Sequence, residues 1–360
     1  MARFIAFYLP QFHPTPENDK WWGPGFTEWH NVAKARPLFR GHKQPHLPAD
    51  LGFYDLRLPE TRETQAELAR EAGVEAFCYW HYWFGNGKRL LERPFNEVVS
   101  SGKPDFPFCL AWANHSWYKK KWDPNAKGKD KLLIEQTYPG IEDYKNHFDT
   151  MLPAFKDKRY VRVNGKPLFF IYDARHFDDI STFVQTWRKL AQENGLNDFY
   201  FVGTDFDGRF KDEIISKGLD AVYESDSINI HHNLNIVKKA YLYFQREILK
   251  RPTVFEYKDA IKYMITPLCK ENNIFPTITP NWDHSPRSGS RAMILNHSTP
   301  ELFKKLVLEA IETVKDKPKD EQIIVIKSWN EWGEGNYMEP DTEFGHGYLN
   351  ALKDAIEESK

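Results

Sequence analysis

Cysteine is scarce and scattered in this sequence. Cys78, Cys109 and Cys269 form no close pair, which argues against a disulfide framework and against a zinc knuckle. Cys78 and Cys109 lie inside apolar runs and read as buried thiols. Long apolar runs are lacking as well, and none approaches the roughly 20 residues that span a bilayer. The opening "MARFIAFYLPQF" has neither a long apolar core nor a small-residue cleavage site, so a cytoplasmic location is the expectation. A charge excess is also missing. The formal net charge is -2, and nothing in that balance steers the chain to nucleic acid or to an anionic membrane. Repeats, low-complexity tracts and clear linkers are absent. One domain spanning 1–360 with elaborated loops is the economical reading.

Aromatic residues are abundant instead. There are 12 Trp, 17 Tyr and 26 Phe, 15% of the chain. Many must be core. The surplus leaves rings free to stack on something flat and partly apolar, such as a sugar face.

Eight short β-rich runs recur, at 4–9, 76–80, 106–111, 167–172, 199–203, 221–224, 274–279 and 323–327. Most are continuously apolar, the pattern of strands buried on both faces of a parallel sheet. Helical patterns separate them. Residues 60–72 run to Gly73, 178–194 carry an apolar face, and 299–315 open with a Thr-Pro-Glu cap. Eight strands alternating with helices predict a (β/α)8 barrel. An open doubly wound sheet is the other solution, but the turn after the first strand, "YLPQFHPTPEN", has no glycine to hold a phosphate. Residues 233–266 exceed a plain crossover and read as a helical insertion of two helices between strands six and seven.

In such a barrel the active site forms at the C-terminal ends of the strands. Those ends are enriched in rings beside hydrogen-bonding groups. Strand one leads to Tyr8, Gln11 and His13, with Glu28 and Trp29 in its loop. Strand two leads to His81 and Trp83, strand three to Asn114 and Trp117, and strand six to Tyr223. Strand seven leads to Trp282 and Asp283, and strand eight to Trp329 and Asn330. All of these are candidate substrate-binding residues. The composition is that of a sugar cleft, where rings stack on pyranose faces and polar groups bond hydroxyls.

The segment "SWNEWGEG" after strand eight adds two carboxylates, Glu331 and Glu334. Glycoside cleavage needs two carboxyl groups near one anomeric carbon, one protonated and one ionised. On an extended strand these residues would face opposite sides. They pair only if the chain coils after Trp329, a turn that Gly333 and Gly335 permit.

With "FYLPQFHPTPENDKWWGPGFTEW" and "WANHSW", the motif "WNEWGEG" resembles the WbsX group of polysaccharide-cluster proteins over about residues 4–352. That group is itself similar to family 99 glycoside hydrolases, the endo-α-mannosidases. The resemblance implies that Glu331 deprotonates the substrate 2-hydroxyl and that the 2-oxygen attacks C1 to give a 1,2-anhydro sugar. It implies that Glu334 protonates the leaving group and later activates water. It further implies a retaining, endo-acting hydrolase or transglycosylase on α-manno-configured mannan or rhamnan, with no cofactor and no metal.

Three other readings compete. WbsX-group proteins are often labelled glycosyltransferases of cell-surface polysaccharide synthesis, and "TDFDG" offers Asp205 and Asp207 in a metal–nucleotide arrangement. A metal-dependent hydrolase would use histidines such as His13, His81, His115, His231 and His232, but no His-X-His pair or His-Glu-X-X-His helix is present. A non-catalytic glycan-binding protein would keep the rings without needing paired carboxylates.

Overall fold

The computed structural model describes residues 2–119, 131–206, 208–224, 230 and 233–360. Eight parallel strands form the centre: β1 Arg3–Tyr8, β2 Ala76–Trp83, β3 Phe108–Trp112, β4 Lys166–Ile171, β5 Tyr200–Asp205, β6 Ala221–Glu224, β7 and β8 Ile323–Ile326. β7 is split by Pro276 into Ile274–Phe275 and Thr277–Ile278. Proline lacks the amide that a central strand must donate. The first half therefore pairs with β6 and the second with β8, which carries the circuit around. The remaining neighbours are sequential, from β1 through β6, with β8 beside β1. This is the (β/α)8 barrel that the alternating runs predict.

The strands are short and buried almost throughout because helices cover the outer face and side chains fill the lumen. Phe7, Phe170 and Tyr223 meet inside, with centroids 5.4–5.6 Å apart. The helix Pro59–Ala72 stops at Gly73, whose φ of 89° is left-handed. In Pro300–Val314, Thr299 Oγ1 accepts from the Leu302 amide and Pro300 takes the first turn, as the cap motif predicts.

Two additions sit over the barrel mouth that the runs do not reveal. A hairpin pairs Trp117–Lys119 with Lys131–Ile134. A three-stranded sheet joins Thr253–Glu256, Met293–Asn296 and Trp282–Asp283. The segment between strands six and seven contains the helix Ile236–Glu247, then that strand Thr253–Glu256, then a short helix Tyr257–Ala260. Both expected helices are present, the second short, and the strand lies in the connection between them, where Thr253, Val254 and Phe255 find an edge to pair with.

Candidate active site

After β8 the chain makes a two-residue strand, Asn330–Glu331, paired with Asn336–Tyr337. Between them Trp332–Glu334 forms a 3₁₀ turn, and Gly335 closes it with φ 54°. This coil turns Glu331 and Glu334 into one cavity, where the charge of Glu334 acts on Glu331. Asn330 fixes the turn to strand one: its Oδ1 accepts from Leu9 N at 2.7 Å and its Nδ2 donates to Leu9 O at 3.1 Å.

The pair lies in a cavity of about 270 Å³ walled by Gln11, Trp80, Tyr82, His115, Trp117, Tyr172, Arg287 and Lys327. It opens into an outer cavity of about 440 Å³ that shares Gln11, His115, Trp117, Tyr172, Arg287 and Glu334 and adds Trp22, Phe26 and Glu28. Together they make one cleft, rimmed by indoles and phenols with the carboxyl pair at its floor.

The two carboxyls differ in surroundings. Burial pushes Glu331 up, and the charge of Glu334 adds to the rise. The charges of Lys327 and Arg287 oppose this, and Trp80 Nε1 donates to Glu331 Oε1 at 2.7 Å. Burial acts on Glu334 in the same sense, but it is outweighed. Arg287 ion-pairs with Glu334, His284 Nε2 lies 3.6 Å from it, and the result is a pKa well below the usual range. Arg287 is itself shared, since its Nε donates to Glu28 Oε2 at 3.0 Å. The pair therefore holds one proton across a range of pH where two isolated glutamates would hold none.

Of the residues read from sequence, Gln11, Glu28, Trp117, Glu331 and Glu334 come together in this cleft. The others lie elsewhere, mostly because alternate residues of a barrel strand face alternate sides. In β1, Tyr8 points out of the barrel and donates to Gln65 at 2.6 Å. In β2, His81 and Trp83 face the helix layer: His81 meets His147 at 2.7 Å, and Trp83 donates to Asp143 at 2.9 Å. Their neighbours Trp80 and Tyr82 face the cleft. Burial lowers the pKa of His13, which bonds the Pro10 carbonyl. Asn114 clasps the Asp173 backbone with both ends of its amide. Trp29 donates to Tyr54 O at 2.8 Å, Trp329 packs on Phe77, and Tyr223 fills the lumen below the pair.

Trp282 and Asp283 line a neighbouring cavity of about 270 Å³ with His46, Tyr337 and Asp341. Its acids are already engaged. Asp283 accepts from His42 at 2.7 Å and Gln44 at 2.6 Å, and Asp341 from Tyr337 at 2.8 Å. Asp205 accepts from the Phe210 amide at 2.8 Å. Asp207, His231 and His232 lie outside the described residues. Trp80, Tyr82, Tyr172, Arg287 and Lys327 also line the cleft and are not among the candidates read from the sequence. Strict alternation along strand two from Cys78 reaches Trp80 and Tyr82, and along strand eight from Val325 it reaches Lys327.

A parallel barrel with a ring-lined cleft and paired carboxyls at the C-terminal strand ends is the class that fold and site define. Within it, the family model described as "Glycosyltransferase WbsX" matches residues 4–352, and the chain belongs to that family. Two relatives, both "Uncharacterized protein WxcX" from Xanthomonas campestris pv. campestris (strains B100 and ATCC 33913), are 34% identical over 360 residues. The match takes in 99% of this chain and 50% of theirs, so the chain spans about half the length of these relatives. Among solved structures, the family 99 endo-alpha-mannosidase from Bacteroides thetaiotaomicron aligns with a TM-score of 0.59 at 16% identity, covering 99% of this chain and 97% of that one. A "Glycoside hydrolase-like protein" aligns at 0.58 and 16% identity, covering 98% and 93%. The likeness to both is one of fold.

Proposed function

We propose that the chain is a retaining, endo-acting glycosidase or transglycosylase for α-manno-configured polysaccharide of mannan or rhamnan type. The observation that carries this reading is the carboxyl pair of buried Glu331 and largely buried Glu334 at the floor of an aromatic cleft. Kinship in fold with the mannosidase supports it.

In the proposed cycle Glu331, as base, takes the proton of the 2-hydroxyl. The 2-oxygen attacks C1, the C1–leaving-oxygen bond breaks, and Glu334 gives its proton to that oxygen. Water then hands a proton to Glu334 as its oxygen attacks C1. The bond from C1 to the 2-oxygen breaks, and Glu331 returns the proton to it. Two displacements give net retention. Before substrate binds, Glu331 is the carboxyl pushed towards the protonated form and Glu334 the ionised one. The cycle therefore starts from the form of the coupled pair in which that one proton sits on Glu334. A sugar hydroxyl in place of water gives transglycosylation, which is compatible with a family named for glycosyl transfer.

The test is the purified protein on α-mannans and rhamnose-containing polysaccharides, with and without sugar nucleotides, beside Glu331→Gln and Glu334→Gln. Products are read by mass spectrometry. New reducing ends without nucleotide, reduced by roughly 10²–10⁴-fold in each variant, are expected. Products that form only with a sugar nucleotide overturn the reading in favour of a nucleotide-dependent transferase.

A further inference from the structure

The helix Ile236–Glu247 packs on the strand Thr253–Glu256 of the sheet at the barrel mouth. Leu242 is its one buried residue. Val237, Tyr241, Phe244 and Ile248 recur at i, i+4, i+7 and i+11, so they share one stripe. They are 74%, 57%, 47% and 63% exposed. Scattered apolar residues are ordinary on a protein surface, whereas a continuous stripe marks an interaction face.

Charge identifies the occupant. Residues 233–251 carry Lys238, Lys239, Arg246, Lys250 and Arg251 against Glu247 alone, a net of +4 on a chain whose total is -2. The whole-chain balance conceals this island. On the helix Lys238 borders the stripe, while Lys239 and Arg246 stand on the opposite, polar face, as in a helix that lies in a membrane boundary. Two copies facing each other here would bring +4 against +4, which disfavours self-pairing. Tyrosine and phenylalanine beside lysine and arginine match the boundary of a bilayer, where rings sit at headgroup depth and cations meet lipid phosphates.

We propose that this helix docks the protein on an anionic lipid surface, with the stripe in the headgroup boundary. The inference is independent of the reaction proposed above.

The full chain is floated with vesicles of phosphatidylcholine alone and of phosphatidylcholine mixed with phosphatidylglycerol, at low and high salt. It is expected to rise with the anionic vesicles only and to be released by salt. Tyr241→Ser with Phe244→Ser is expected to weaken binding roughly tenfold or more. Lys238→Gln is expected to weaken it about fivefold. Circular dichroism checks that the variants are folded, and sedimentation velocity follows their mass. Absence of binding to anionic vesicles at low salt overturns the proposal, as does unchanged binding by the double serine variant. A parent dimer that the serine variant turns into a monomer also overturns it and gives the face to a second copy.

Discussion

Gly333 approaches Glu28 so closely that no side chain fits between them. A Cβ at Gly333 would stand 2.0 Å from Glu28 Oε2 and 3.0 Å from Arg287 Nε. The bare backbone there lets the first loop reach the carboxylate turn and seat Glu28 on Arg287. Gly333→Ala is expected to push Glu28 off the guanidinium, at a cost of roughly 1–3 kcal/mol, read from urea denaturation. Gly335→Ala should cost more, since its Cβ would meet Asp283 N and O at 2.8 Å and its φ of 54° is left-handed. A Gly333→Ala protein as stable as the parent would show that the approach is loose.

Arg287 is the group that overcomes burial at Glu334. Replacing it by methionine leaves burial unopposed, so the pKa of Glu334 rises. In the free pair Glu334 is the carboxyl that loses its proton first, so the ascending limb of the kcat/KM profile is expected to move up. The change also strands Glu28, whose side chain is only 4% exposed, and breaking such a buried pair costs about 3–5 kcal/mol. Glu28→Gln added to Arg287→Met should restore part of that stability without returning the limb. An ascending limb that stays in place in Arg287→Met would remove the guanidinium from the account of Glu334.

Trp80 gives Glu331 a hydrogen bond that favours its ionised form. Its ring stacks on Phe7 with centroids 4.5 Å apart. Trp80→Phe keeps much of that stacking and removes the donor. Glu331 is the carboxyl that keeps the pair's last proton, so losing the donor is expected to move the descending limb of kcat/KM up. An unmoved limb together with weaker substrate binding would make Trp80 a stacking platform only.

The barrel was legible because each apolar run is a strand covered on both faces, and the carboxyl pair because two glycines announce a turn. Individual cleft residues were less legible. In β2 the run "YWHYW" is aromatic on both faces. Polarity therefore favoured His81, while alternation puts Trp80 and Tyr82 in the lumen. Tyr8, Asn114 and Asn330 are polar for a different reason: buried amides and phenols here clasp neighbouring backbone and side chains. The Glu28–Arg287 contact joins residues far apart in the chain, on loops whose course no local pattern states. The mouth sheet was hidden in the same way, since two of its strands exist only because a third offers them an edge.

Glu339 lies directly behind the carboxylate turn. It accepts from Tyr54 OH at 2.9 Å, Gln65 Nε2 at 2.6 Å and Trp332 Nε1 at 2.6 Å. Burial nevertheless raises its pKa from 4.5 to about 7, with those donors pulling the other way. A carboxyl whose folded pKa exceeds its unfolded value favours the fold in its protonated form. That contribution is fully present below about pH 4.5 and is lost as pH rises through about 7, a swing of about 3 kcal/mol. Glu339→Gln cannot titrate, and its amide turns donors towards three donors, so it is expected to be less stable than the parent at every pH. The gap between parent and variant should narrow between pH 4.5 and 7, because only the parent loses stability at this site. Urea denaturation of both proteins across that window checks it. A gap that stays constant would mean that Glu339 holds the same charge in the folded and unfolded chain, and that its three donors, not burial, set its state.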